Sequence, residues 1–118
     1  MSQTQEVSTR LKGDVSMIDI RGEVTAVSGA PMEQAYQGVS AAGARKILLV
    51  FSTDCYINSG GIAVLIGILA ECKKRGQVVR MTGLTPHFQK VFAMVGLTRY
   101  AAIDASEDDA VARFSQIA

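Results

Sequence analysis

The chain has one histidine, His87, no tryptophan, two prolines and two cysteines in 118 residues. Each scarcity excludes something. A single histidine leaves no His-rich metal set, and no His, Cys, Asp or Glu group has metal-ligand spacing, so neither a metal nor a cofactor is expected. A Ser-His-Asp triad would have to use His87, which lies early in a helical segment, where surface or packing histidines are common. Cys55 and Cys72 form no CxxC pair and are too few for a disulfide scaffold, which suits reduced thiols in a cytosolic protein. Phosphate-binding loops of the GxxxxGK[ST] or GxGxxG kind are absent after any strand. The longest apolar stretch, Ile62 to Ala70, is well short of the roughly 20 residues that span a membrane. No basic leader precedes an apolar core, so the expectation is a cytoplasmic protein without a membrane partner. Twelve basic residues against eleven acidic give a net charge of +1. That is no footprint for nucleic acid, and the run Lys73-Lys74-Arg75 beside a helix end reads as a solvated face.

What is present is a well-patterned core. Hydrophobic residues make up 48% of the chain and charged residues 19%, and a chain of this length buries about two thirds of its unfolded surface without staples. One domain over residues 1–118 is expected.

Val7 to Leu11 and Val15 to Ile20 alternate around Lys12-Gly13-Asp14, which reads as a β-hairpin with Gly13 in the turn. Arg21 to Thr25 ends the second strand. Ser28-Gly29-Ala30-Pro31 begins a helix with Met32, Tyr36 and Val39 on one face, Ala42 next on that face, and Gly43 closing it. Lys46 to Phe51 is an almost unbroken apolar run, as in a strand buried on both faces. Ser59 reads as the cap of the next helix, whose apolar face is Ile62, Leu65, Ile66, Leu69 and Cys72, with Gly76 as its stop.

Val78 to Thr82 is a strand. Thr85-Pro86 opens a helix carrying Phe88, Val91, Phe92 and Val95, and Gly96 ends it. Ala101 to Ile103 is a short strand. Ser106 caps a last helix with Glu107, Asp108 and Asp109 in its first turn and Val111 and Phe114 inward. The order β-β-α-β-α-β-α-β-α predicts an α/β fold: a mixed, mostly parallel sheet of about five strands with helices packed against it.

The segment that invites a functional reading is Ile57-Asn58-Ser59-Gly60-Gly61-Ile62. Serine is a favoured N-cap, and a hydroxyl there also faces the positive end of the helix dipole, where a phosphate is stabilised. Two glycines at a helix start cost about 1 kcal/mol each relative to alanine. Their presence points to close approach by another molecule or to tight backbone packing. Cys55, four residues before Ser59, lacks a cationic neighbour in sequence and reads as a packing cysteine.

On these residues the chain resembles the STAS domain family of bacterial anti-sigma factor antagonists. Gly22-Glu23-Val24 resembles the family's Gly-x-Leu-Asp segment. Asn58-Ser59-Gly60-Gly61-Ile62 resembles its Asp-Ser-Ser/Thr-Gly-Leu motif. Met81 to Leu97 resembles its penultimate strand and helix. Three positions depart: Asn58 replaces the aspartate beside the serine, Thr25 replaces the aspartate after the Gly-x-Leu segment, and Gly60 occupies the second hydroxyl position.

The resemblance implies a non-enzymatic switch. Unphosphorylated, the domain binds a regulator that is both an anti-sigma factor and a serine kinase of the histidine-kinase-like ATPase type. Phosphorylation at Ser59 releases it, and a metal-dependent serine phosphatase restores it. Glu23, Thr25, Asn58, Gly60, Gly61 and Ile62 are the expected partner surface. A scaffold or ligand-binding module in a signalling or transport complex is the alternative.

Overall fold

The computed structural model describes residues 6–116. Strands β1 (Glu6–Lys12) and β2 (Val15–Arg21) form the hairpin, with Lys12 opposite Val15 and Gly13 at φ +62° in the turn. The chain then turns at Gly22, φ +83°, into a two-residue strand, β3 (Glu23–Val24). The sequence reading placed these residues at the end of β2. Gly22 instead carries them off the main sheet, because its left-handed backbone breaks the extended run.

A 3₁₀ turn, Ala26–Ser28, leads into α1 (Gly29–Ala41). Next come β4 (Lys46–Phe51), the two-residue β5 (Tyr56–Ile57), α2 (Ser59–Lys74) and β6 (Val78–Thr82). Helix α3 (Pro86–Met94), a 3₁₀ turn at Leu97–Arg99, β7 (Ala101–Asp104) and α4 (Glu107–Phe114) complete the order.

The main sheet runs β1-β2-β4-β6-β7, with only β1 antiparallel. The mixed, mostly parallel sheet of five strands is therefore as expected. Each parallel crossover steps to the next strand in one direction, so right-handed connections place α1, α2 and α3 on the same face. There Ile18, Ile20, Ile47, Leu49, Phe51, Val79 and Met81 meet Met32, Tyr36, Leu65, Leu69 and Phe92 in the larger core. Full burial of such side chains stabilises by about 1.5–3 kcal/mol each. Helix α4 follows the last strand and folds over the other face, where Val15, Met17 and Leu48 pack with Ala110 and Phe114. The alternation of Ile47, Leu48 and Leu49 between two cores accounts for the unbroken apolar run of β4.

Three side chains differ from the sequence reading. In α2 the buried positions are Gly61, Leu65, Ile68, Leu69 and Cys72, whereas Ile66 is exposed and Ile62 half-buried. The buried stripe is centred one position away from the expected one, and Gly61 lies at its start. Val95 is the C-cap of α3, past its last turn, and is exposed. Ala42 is likewise exposed beyond the end of α1. Tyr36 is buried but satisfied, its hydroxyl donating to Gln77 Oε1 at 2.7 Å.

Candidate functional site

The site lies where β3 and β5 deliver the chain to α2. These strands pair in parallel, Glu23 opposite Tyr56 and Val24 opposite Ile57. The Tyr56 N–H donates to Gly22 O at 3.2 Å and the Asn58 N–H to Val24 O at 3.1 Å. This small ladder brings Glu23 and Thr25 beside the start of α2, although 34 residues separate Thr25 from Ser59 (59 − 25 = 34).

The cap of α2 is Asn58, a correction to the sequence reading, which assigned it to Ser59. Asn58 has extended backbone, φ −99° and ψ −178°, and its Oδ1 accepts the Gly61 N–H at 3.0 Å. Its carbonyl accepts the Ile62 N–H at 2.9 Å, which closes the first turn. Asparagine is as good a cap as serine. Ser59 is therefore the first helical residue. It is exposed, and its hydroxyl has no hydrogen-bond partner among the described residues.

Of the two accounts of the glycines, tight backbone packing is what the structure contains. A Cβ on Gly61 would lie 2.1 Å from Val24 O, and one on Gly60 would lie 2.9 Å from Ala26 N. Gly61 is buried, so its missing side chain faces the protein's own backbone rather than a visitor. The same contact explains Gly60: a serine there would drive its Cβ against Ala26. The motif's hydroxyl is thereby restricted to position 59.

Around Ser59, Glu23 and Asn58 are exposed, Thr25, Gly60 and Ile62 half-buried. Thr25 Oγ1 accepts the Val27 N–H at 3.2 Å and so shapes the 3₁₀ turn that supports the glycines. Ile62 packs against the larger core. Two residues of this surface were missed from sequence. Val27 is 88% exposed and Tyr56 58% exposed, the latter edge-on to Phe88 at 6.2 Å. Two-residue strands and single 3₁₀ turns carry no periodicity, so no sequence signal marked them.

Cys55 is buried, and burial, with Asp54 adding to it, pushes its thiol up to about 11. Burial also raises the Cys72 thiol. Neither is a thiolate near neutral pH, in keeping with packing roles. Among the described residues no three His, Cys, Asp or Glu side chains gather to hold a metal, and no helix is long and apolar enough to cross a membrane.

A five-stranded mixed sheet, three helices on one face, and an Asn-Ser-Gly-Gly helix entrance packed on a side ladder define a small STAS-type α/β domain. The family model described as "Mlab, STAS domain" matches residues 7–104, and the chain belongs to that family. No curated protein matches the sequence.

Solved structures resemble it in fold. An anti-sigma factor antagonist from Mycobacterium paratuberculosis is 19% identical with a TM-score of 0.79, over 93% of each chain. A putative anti-sigma factor antagonist from Thermotoga maritima is 18% identical with a TM-score of 0.78, over 91% of this chain and 92% of that one. The Bacillus cell fate determinant SpoIIAA in its phosphorylated form is 17% identical with a TM-score of 0.65, over 94% and 99%.

Proposed function

We propose that this chain is a single-domain anti-sigma factor antagonist of the partner-switching kind, with Ser59 as its phosphorylation site. The observation that carries the reading is the uncommitted Ser59 hydroxyl, exposed at the entrance of a 16-residue helix whose capping is done by Asn58. Fold similarity to anti-sigma factor antagonists, one of them a phosphorylated form, supports it.

The unmodified domain binds an anti-sigma factor that is also a serine kinase of the histidine-kinase-like ATPase type. Its contact surface is Glu23, Thr25, Asn58 and Ile62 around Ser59, with the Gly60-Gly61 backbone beneath. Val27 and Tyr56 supply the exposed apolar area at its edge. The domain itself is a binding module in the cytoplasm and performs no chemistry; a metal-dependent serine phosphatase reverses the modification.

The energetics suit a switch. Phosphate adds about −1.5 to −2 charge. Its desolvation at an interface without a cation costs several kcal/mol, while a thousandfold loss of affinity needs only about 4.1 kcal/mol. Within the free domain the helix entrance favours the anion, and the neutral Asn58 does not repel it. Modification therefore removes the partner without unfolding the domain.

The test is incubation with ATP and the ATPase-type kinase encoded nearest to its gene, followed by mass spectrometry and a binding titration. Phosphate on Ser59 alone is expected, with binding lost in both the phosphoprotein and Ser59→Asp. Phosphate on another residue, or none, would overturn the proposal. A stable complex indifferent to Ser59→Asp would point instead to a scaffold, and a small molecule retained in native mass spectrometry to a ligand-binding module.

A further inference from the structure

The outward face of α2 carries no charge until its last turns. Ser59, Ala63, Ile66, Gly67 and Ala70 are all exposed along it, and charge returns only at Lys73 and Lys74. A helix face turned to water ordinarily carries charged side chains. Ile66 projects from the middle of this one, 38% exposed. Immediately beside it the missing side chain of Gly67 leaves open space, with nothing within 4 Å of a Cβ placed there. A groove of about 260 Å³ runs past that point between α1 and α2, with Tyr36 and Ile68 among its walls. A knob and a hole thus stand side by side on the same helix.

We infer that this face is the interface of a homodimer, its occupant a second copy of this chain. A twofold axis through the Ile66–Gly67 segment runs the two α2 helices antiparallel. It seats Ile66 of each copy in the groove beside Gly67 of the other, an isologous contact in which knob and hole exchange roles. Antiparallel alignment also opposes the helix dipoles favourably. Ser59 precedes this axis by as many residues as Lys74 follows it, so each Ser59 faces the other copy's Lys73 and Lys74. The face is about 24 Å long and about 10 Å wide, less than the roughly 800 Å² per partner of a standard interface. The unmodified dimer is accordingly weak and concentration-dependent. A phosphate on Ser59 meets a lysine pair and tightens it; this last clause alone rests on Ser59 being a phosphorylation site.

Sedimentation equilibrium of the unmodified protein from ~10 μM to ~1 mM covers the affinity range of so small an interface. A monomer–dimer equilibrium is expected, weakened about tenfold or more by Ile66→Arg, a change at an exposed position whose melting curve should match the parent. Oxidised Gly67→Cys should give a disulfide-linked dimer, since two near-axial residues approach each other. Gly38→Cys, exposed on α1 with open space around it, should not. Ser59→Asp should strengthen the dimer, and Lys73→Ala with Lys74→Ala should cancel that gain.

A protein monomeric throughout, or a dimer indifferent to Ile66→Arg with no Gly67→Cys disulfide, would overturn the inference and leave the face to another protein. These arms contain no phosphate, so they stand or fall independently of whether a kinase acts on Ser59.

Discussion

The Gly61 amide donates to Asn58 Oδ1 at 3.0 Å, and this one hydrogen bond sets the status of the serine between them. A capped helix entrance makes no demand on the Ser59 hydroxyl, which is left facing solvent. Asn58→Ala should therefore cost about 1 kcal/mol, whereas Ser59→Ala should change stability by no more than about 0.5 kcal/mol. Urea denaturation of the two variants compares them directly. Equal losses would return the cap to Ser59.

The helix entrance is pressed onto Val24 and Ala26, so its glycines should be intolerant in order of contact. Gly61→Ala meets Val24 O at 2.1 Å and should cost about 3 kcal/mol or more, beyond ordinary overpacking. Gly60→Ser, which restores the family's second hydroxyl, meets Ala26 at 2.9 Å and should cost about 1–3 kcal/mol. Gly38→Ala, in an open helical position, should instead stabilise by about 0.5–1 kcal/mol. Thermal melts that fail to separate these three would refute the packing account.

Asp104 and Arg80 form a bidentate pair at 2.6 and 2.9 Å, with Asp104 only 4% exposed. Removal of the carboxylate strands a guanidinium on the sheet face under α4. Asp104→Ala should cost about 3 kcal/mol, and the double variant Asp104→Leu with Arg80→Met should recover most of it. Denaturation midpoints of the single and double variants measure the difference.

Acid should loosen the clasp between β1 and α4. Arg10 hydrogen-bonds both Asp19 and Glu107, and its guanidinium holds the Glu107 carboxyl below its ordinary 4.5. A carboxyl depressed on folding contributes stability that is present above its unfolded pKa and is lost as pH falls through the folded one. Stability should therefore decline below about pH 4.5, and less steeply in Arg10→Met. The difference should stay below about 1 kcal/mol because the pair is partly solvated. Denaturation at pH 6 and at pH 3 reads it out.

Cys55, held up to about 11 by burial, should react with iodoacetamide at pH 7.5 at least about a hundredfold more slowly than a free thiol. Unfolding in urea should abolish that protection. Rapid alkylation of the native protein would contradict the buried, neutral thiol.

Much of this molecule is carried by local pattern. Period-two alternation, the β4 run, Thr85-Pro86, Ser106 and the closing glycines mark the hairpin, strands and helices within a few residues. Local chemistry determines them, so sequence alone specifies the five-stranded order and picks out Asn58 to Ile62 as the segment of interest. Tertiary structure decides what that segment does. Asn58 and Ser59 are both good caps, and only the helix's position on the Val24–Ala26 backbone selects between them. The glycines likewise read two ways until Val24 O is seen 2.1 Å from where a Cβ would stand. Ile66 and Ile68 are equally apolar, and the angle at which α2 rests on the sheet buries one and leaves the other outward. Contacts between residues far apart in the chain leave no periodic trace, which is why the serine was legible and its freedom was not.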